Sequence, residues 1–233
     1  MNKEQFINEV KKLNINLTDD MLSKLAKYYN LLIEENNKYN LTSITEESQV
    51  YLKHFYDSLT ITKIIDLKNQ YLLDIGSGAG FPGLVLKIVF PNLHITLMDS
   101  TSKKCHFLEK VIQELNLKDI SVINARAEEY AKTNREKYDI VTSRAVAPLK
   151  HLLEYSIPLL KINGNFISLK SNLTEELKGI NNYYQKLFLS NEKIISFELP
   201  YEHSLRTLYR VTKNNITKSI YPRTYSQIKK KDI

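Results

Sequence analysis

A glycine-rich loop between a short apolar run and a helical pattern constrains the fold of this chain more than any other feature. The apolar run is YLLDI (71–75), the loop is GSGAGFPG (76–83), and the helical pattern GLVLKIVF (83–90) starts at its last glycine. Glycines let backbone come close to a ligand, and the free N–H groups at the start of a helix favour anionic or polar ligand atoms. Open α/β sheets bind their ligands at such strand-to-helix loops. The segment 71–99 is therefore predicted to build a pocket for a nucleotide-type cofactor.

From residue 71 onward, short β-rich runs alternate with helical patterns almost to the end of the chain. Strands separated by helices of this length form right-handed crossovers, which give a mostly parallel sheet covered on both faces. About seven strands fit the pattern, and the last two can be antiparallel. One of the predicted helices spans 174–187. The sequence thus predicts a doubly wound α/β fold.

The first part of the chain contains only helical patterns. Apolar residues recur at helical spacing over 3–13, over 19–37 after a Thr18 cap, and over 46–65 after a Thr45 cap. We expect an N-terminal helical extension (1–68) followed by one α/β domain (69–233) that ends in a basic tail.

The acid that ends the next strand pattern narrows the identity of the ligand. Asp99 closes the run HITLMD, and its carboxylate can accept hydrogen bonds from both hydroxyls of a ribose. The glycines Gly76, Gly78 and Gly80 follow a G-x-G-x-G spacing, and Phe81 stands where a dinucleotide fingerprint has its third glycine. This spacing favours S-adenosylmethionine as the cofactor. An NAD-dependent oxidoreductase and a loop that serves only tight packing stay open as alternatives.

Composition excludes several classes of protein. No apolar run approaches the roughly 20 residues of a membrane helix, and the first residues lack a secretion signal, so we expect a cytoplasmic protein. The single cysteine, Cys105, excludes an internal disulfide, and the five histidines form no ligand motif, so no metal is predicted. The net charge is +7, and the tail 218–231 carries five basic residues and no acid. Such a tail suits RNA, although a merely solvated tail is an equal alternative.

The loop after the fourth predicted strand limits the chemistry. It reads SRAVAP (143–148), which differs from the loop of enzymes that methylate exocyclic amines, and Cys105 lies in a helix rather than at a nucleophile position. An acceptor with an in-plane lone pair, such as guanine N7, needs positioning but no general base. Arg126, Arg144 and Arg206 stand at predicted strand ends and could bind phosphate or a guanine edge, with surface ion pairs as the simpler alternative.

Several motifs together resemble one family, the bacterial 16S ribosomal RNA guanine-N7 methyltransferases, also called glucose-inhibited division protein B. The motifs that carry the resemblance are Asn40-Leu41-Thr42, His54-Phe55-Tyr56-Asp57-Ser58-Leu59, the glycine loop with its GFPG extension, Asp99-Ser100 with Lys103-Lys104, Arg126-Ala127-Glu128-Glu129, Ser143-Arg144-Ala145-Val146-Ala147, Lys170 and Tyr221-Pro222-Arg223. The tail departs from the family at Thr224-Tyr225-Ser226, where a basic residue and a glycine are usual.

The resemblance implies a Rossmann-like class I methyltransferase fold, S-adenosylmethionine as cofactor, and 16S rRNA or a 30S particle as partner. Together with the loop, it implies a cofactor site of Gly76, Gly78, Gly80, Phe81, Asp99, Ala127, Glu128 and Arg144, with Asp99 by the ribose and Glu128 by the adenine. The predicted catalytic residues are Arg126, Arg144 and Arg206. The predicted RNA contacts are Lys170, Arg206 and Arg223.

Two further points stay open at this stage. His54 and Asp57 either line the acceptor side or serve as a packed histidine and an ion-paired acid. The chain, expected to be a monomer, could also be a noncatalytic RNA-binding or assembly factor that keeps the fold without turnover.

Overall fold

A seven-stranded sheet forms the centre of the molecule in a computed structural model that describes residues 1–233. The strands are β1 (Tyr71–Ile75), β2 (His94–Asp99), β3 (Ile120–Asn124), β4 (Tyr138–Arg144), β5 (Leu160–Lys170), β6 (Leu189–Glu198) and β7 (Leu205–Lys213). Their order in the sheet is β3-β2-β1-β4-β5-β7-β6. The predicted Rossmann-like α/β architecture with seven strands is confirmed.

Strand directions follow the prediction with one refinement. Strands β1 to β5 are parallel, β7 is antiparallel to β5, and β6 is antiparallel to β7. Only β7 therefore runs against the other strands, whereas the sequence pattern left the direction of both β6 and β7 open. Because β1 pairs with β2 on one side and β4 on the other, the strand order reverses between β1 and β4. Ligands bind in the crevice outside the carboxyl ends of strands at such a reversal.

Ten α-helices cover the sheet and extend it at the amino end. They are α1 (Lys3–Lys11), α2 (Asp19–Tyr39), α3 (Glu47–Val50), α4 (Asp57–Leu59), α5 (Gly83–Val89), α6 (Ser102–Glu114), α7 (Ala127–Thr133), α8 (Leu149–Ser156), α9 (Asn181–Leu187) and α10 (Tyr225–Lys230). The Thr18 side chain caps α2 as predicted, by accepting a hydrogen bond from the Met21 amide. No helix combines the length and the apolar character that crossing a membrane requires.

Two of the predicted helices differ in detail. The third begins at Glu47 with Glu46 as its N-cap, so the expected Thr45 cap is wrong. This helix continues from α3 through a π-helical stretch (Tyr51–Tyr56) into α4 and a 3-10 turn, Thr60–Lys63. The helix predicted over 174–187 is limited to α9, because Gly179 has a φ of +71°, which an α-helix does not accommodate.

The N-terminal helices pack on the sheet through a shared core. One cluster of 36 buried residues joins Phe6 of α1, Tyr28 of α2 and Phe55 of the π-helical stretch to Leu84 of α5 and Leu97 of β2. A second cluster, of 25 residues, lies under α7, α8, α9 and α10. The division of the chain near residue 68 stays a prediction, since the same core lies on both sides of it.

Candidate functional site

A cavity of about 370 Å³ lies at the carboxyl ends of β1, β2 and β4, where the strand order reverses. We call it the first cavity. Its volume is in the range of small-molecule sites. Its walls are formed by Ile75, Gly76, Met98, Asp99, Ser100, Thr101, Lys104, Ala125, Arg126, Ala127, Glu128, Arg144, Ala145, Val146, Ala147, Tyr155 and Tyr225.

The glycine loop forms one wall of the first cavity through Gly76. The Gly76 and Ser77 amides donate to the Met98 carbonyl at 2.7 and 2.9 Å, which fixes the loop to the end of β2. Gly76 has a φ of +69°, and a Cβ there would overlap the Val146 side chain. Gly80 serves packing, because a Cβ there would overlap Leu84 and the Tyr28 hydroxyl. Of Gly76, Gly78 and Gly80, only Gly76 lines the first cavity.

Asp99 and the glycine loop are in direct contact. One carboxylate oxygen of Asp99 accepts a hydrogen bond from the Gly78 amide at 3.0 Å, and the other accepts from the Thr101 amide at 2.9 Å. The Lys104 ammonium lies 3.8 Å away. A carboxylate has about four lone-pair sites, so two backbone donors orient Asp99 and leave acceptor capacity for a ligand. The structure thus brings together the loop and the acid that the sequence pairs in one site.

A second buried acid enters the first cavity from α7. Glu128 is 5% exposed, and it lines the first cavity. Its nearest cation is Arg126, with 3.8 Å between Nη1 and the carboxylate. Because a carboxylate only accepts hydrogen bonds, Glu128 favours a ligand that brings an N–H or O–H to it. Glu128 is thus suited to bind the polar edge of a base.

Arg144 at the end of β4 is the most highly connected side chain of the site. Its Nη1 donates to the Lys53 carbonyl at 2.9 Å and lies 3.3 Å from the Asp57 carboxylate, while its Nη2 lies 3.2 Å from His54 Nδ1. The guanidinium also lies over the Phe81 ring, 5.1 Å from its centroid. These contacts hold Arg144 in one orientation.

His54 is neutral in this arrangement. Burial, together with the Arg144 charge, lowers its pKa to about 3. Its ring stacks on Phe81 with 4.2 Å between centroids, and its Nε2 lies 3.0 Å from the Thr42 hydroxyl. A neutral imidazole can accept a hydrogen bond from Arg144. His54 is therefore packed and hydrogen-bonded at the same time.

A second cavity, of about 360 Å³, shares Arg144 and Ala145 with the first. We call it the second cavity. Its walls are formed by Ile44, Lys53, His54, Asp57, Arg144, Ala145, Leu169, Lys170, Ser171 and Arg206. Four of these residues are cationic and one is acidic, so the second cavity favours an anionic ligand.

Asp57 ties the walls of the second cavity together. Its carboxylate accepts from Arg206 Nε at 3.1 Å and lies 3.3 Å from Arg144 Nη1. Burial raises the pKa of Asp57 above its ordinary value, and the two guanidinium groups limit the rise. Lys170, at the end of β5, donates to the Ala147 carbonyl at 2.6 Å and pairs with Glu176 at 2.9 Å. Asp57 is thus both the ion-paired acid and a wall of the second cavity.

The structure gathers most of the predicted site residues at these two cavities. Gly76, Asp99, Arg126, Ala127, Glu128 and Arg144 line the first cavity, and His54, Asp57, Arg144, Lys170 and Arg206 line the second. Gly78, Gly80 and Phe81 line neither cavity. The Phe81 ring instead packs against the His54 ring and the Arg144 guanidinium. The catalytic, cofactor and RNA roles assigned from the sequence stay predictions.

Arg223 is the predicted residue that lies away from both cavities. Its Nε and Nη2 donate to the two carboxylate oxygens of Glu154 at 2.8 and 2.7 Å, and Glu154 is fully buried. The guanidinium is therefore engaged in an internal ion pair, and these contacts do not support its predicted role in RNA binding.

Lys53, Tyr155 and Tyr225 are among the wall residues that sequence reasoning missed. Lys53 belongs to the π-helical stretch, and its position beside β4 follows from long-range packing. Tyr155 comes from α8 and Tyr225 from the tail, and neither stands in a strand-end motif that could have indicated it. No group of three or more His, Cys, Asp or Glu side chains is placed to hold a metal ion.

Comparisons with known proteins show what the chain is similar to. A family model described as GidB, rRNA small subunit methyltransferase G, matches residues 21–205. The chain is 47% identical over 216 residues to Ribosomal RNA small subunit methyltransferase G of Mesoplasma florum, in an alignment that covers 91% of this chain and 90% of that protein. The protein of the same name from Acetivibrio thermocellus is 45% identical over 211 residues, with coverages of 90% and 87%.

Solved structures share the architecture at low sequence identity. A SAM-dependent methyltransferase from Aquifex aeolicus superposes with a TM-score of 0.54 at 14% identity, and the match covers 74% of this chain and 97% of that one. The YcgJ protein from Bacillus subtilis also gives a TM-score of 0.54, at 14% identity, covering 70% and 100%. These likenesses concern the fold alone.

Proposed function

The chain belongs to the rRNA small subunit methyltransferase G family, and on that premise we propose that it transfers the methyl group of S-adenosylmethionine to N7 of a guanine in 16S ribosomal RNA. The family and the class of enzyme agree with the resemblance found in the sequence. The observation that carries the proposal is that two cavities of different character meet at Arg144.

The first cavity is the proposed cofactor site. S-adenosylmethionine supplies an electrophilic methyl group when it is bound. Asp99 would hold the ribose hydroxyls with the lone pairs that its two backbone donors leave free, and Glu128 would accept from the adenine edge. Gly76 lets the loop backbone pack closely against Val146 in the wall of this site, because a Cβ there would overlap the Val146 side chain.

The second cavity is the proposed RNA site. Lys53, Arg144, Lys170 and Arg206 give it the cationic walls that phosphate and a guanine edge require. Arg144 and Lys170 are already held by hydrogen bonds, so ordering their side chains when RNA binds would cost little free energy. The fixed positions of these cationic groups, rather than how many of them there are, would then align the acceptor guanine.

The chemistry of the second cavity favours an acceptor that loses no proton. Its acid, Asp57, is bound to Arg144 and Arg206, and the pKa of His54, about 3, makes that imidazole a weak base. N7 of guanine carries a lone pair in the ring plane and no proton, so it needs no general base. Alignment of donor and acceptor can supply much of the rate acceleration in such a reaction.

A labelling experiment tests the proposed activity against its alternatives. The full chain is incubated with S-adenosylmethionine labelled in the methyl group and with either naked 16S RNA or 30S particles that lack the modification. We expect the RNA to carry the label at a single guanine. Chemical cleavage that is specific for 7-methylguanine should then cut the RNA at that position. Donor binding without label in either substrate would indicate a noncatalytic RNA-binding factor. Binding of NAD in place of the donor in a thermal-shift titration would indicate the oxidoreductase.

The Asp99→Asn variant tests the placement of the cofactor. We expect its affinity for S-adenosylhomocysteine to fall by about tenfold or more, because hydrogen bonds to a charged group contribute about 1.5–3 kcal/mol each. Isothermal titration calorimetry measures the change. Asp119→Asn is the matched control, since Asp119 precedes β3 at the opposite edge of the sheet and is not in the first cavity. Equal affinities of Asp99→Asn and the unmodified chain would contradict the placement of the ribose.

A further inference from the structure

The C-terminal tail contributes an aromatic ring to the first cavity. Tyr225 is the first residue of α10, and its side chain lines the cavity while 41% of the residue stays exposed. No strand-end motif brings it there. The tail instead folds back onto the domain and carries Tyr225 with it.

Anchors on both sides of Tyr225 fix its position. Before it, the ion pair of Arg223 with buried Glu154 fastens the tail to α8. After it, Ile228 is 1% exposed and belongs to the second core cluster. Between them, Thr224 and Gln227 form a capping box that starts α10. The ring is therefore held at the cavity by the tail itself.

The Tyr225 ring lies at the end of the first cavity that contains Glu128. The Arg126 guanidinium lies 5.3 Å from the ring centroid, and the Lys229 ammonium lies 5.1 Å from it. Tyr155 is 5% exposed and lines the same cavity, and burial, with the Glu128 charge as a lesser cause, raises its pKa. Arg126, Glu128, Tyr155 and Tyr225 thus surround one end of the cavity.

We infer that Tyr225 is a cofactor-binding residue, with its ring forming the wall against which the adenine of S-adenosylmethionine packs. The inference rests on the proposed function, in which Glu128 binds the adenine edge. A purine packed on an aromatic face gains stacking energy in addition to the hydrogen bonds at its edge.

Calorimetric titration of the full chain with S-adenosylhomocysteine tests the inference. We expect Tyr225→Ala to bind about tenfold more weakly, because base stacking on an aromatic residue is lost. Tyr225→Phe keeps the ring and is expected to stay within about twofold of the unmodified chain. Tyr71→Ala is the matched control: Tyr71 is also a half-exposed tyrosine with a lysine over its ring, but it lies at the amino end of β1.

A further readout and a further variant separate a role in cofactor binding from a general loss of structure. In the methylation assay, Tyr225→Ala is expected to raise the KM for the cofactor while kcat changes little. Tyr225→Leu, which keeps apolar bulk on α10, provides a second variant if the alanine form does not fold, and it is expected to bind more weakly than Tyr225→Phe.

The outcomes distinguish this inference from the proposed function. An unmodified chain that does not bind S-adenosylhomocysteine would refute the proposed function itself. If the unmodified chain binds and Tyr225→Ala binds equally well, only the role of Tyr225 is overturned. An equal loss of affinity in Tyr71→Ala would also overturn it, because the effect would then not depend on the position of the ring.

Discussion

Replacing Arg144 with alanine is expected to reduce methyl transfer to 16S rRNA by about a hundredfold or more, while the fold is kept. Arg144 is the side chain that both cavities share, and four contacts orient it: the Lys53 carbonyl, His54, Asp57 and the Phe81 ring. Misplacement of reacting groups by about 1 Å can cost about a hundredfold in rate. Single-turnover methylation of 30S particles measures the effect.

Two variants define the specificity of this result. Arg144→Lys keeps the charge but not the planar fork of donors, so we expect it to recover little of the rate. Arg210→Ala is the matched control, because Arg210 lies on the same sheet, donates to the Ile64 carbonyl at 2.9 Å and lines neither cavity. Turnover of Arg144→Ala at half the normal rate or more would remove this arginine from the catalytic site.

Replacing Arg223 with alanine is expected to lower the free energy of unfolding by about 3–5 kcal/mol, the usual cost of leaving one partner of a buried ion pair alone. Glu154 has no exposed side-chain surface, and it accepts three hydrogen bonds from Arg223, one from the main chain and two from the guanidinium. Single domains have only about 5–15 kcal/mol of stability in total, so the loss is a large share. Urea denaturation followed by circular dichroism measures it.

A double variant tests the cause of that loss. Arg223→Met combined with Glu154→Leu removes both charges and leaves apolar groups, so it is expected to be more stable than Arg223→Ala. Lys178→Ala, which breaks an exposed ion pair with Glu175, serves as the control and should change stability by less than about 1 kcal/mol. If the double variant is no more stable than Arg223→Ala, the unpaired Glu154 charge is not the source of the loss.

Local patterns in the sequence were sufficient for the architecture and for one half of the site. The alternation of strands and helices gave the sheet, and the glycine loop followed by Asp99 gave the first cavity. Both predictions need only residues that are close in sequence, or residues that parallel strands bring to the same carboxyl edge of the sheet. Asp99 and Gly78 could be paired because β1 and β2 are neighbours in the sheet.

The parts that were missed depend on contacts between distant segments. The second cavity combines the π-helical stretch with the ends of β4, β5 and β7, and no periodicity indicates that Lys53 would contact Arg144. Arg223 was expected to bind RNA because its motif and the basic tail suggested it. Its partner is Glu154, on a helix far away in sequence, and the same fold-back brings Tyr225 to the cavity.

Both cavities open at the carboxyl edge of the sheet, and this asymmetry has an evolutionary consequence. The amino ends of the parallel strands β1 to β5, with Tyr71 of β1 and His94 of β2 stacked on each other, contact neither cavity. Selection on ligand binding therefore acts directly on the rim that carries both cavities. Substitutions accumulated between relatives should be less frequent on that rim than on the amino rim.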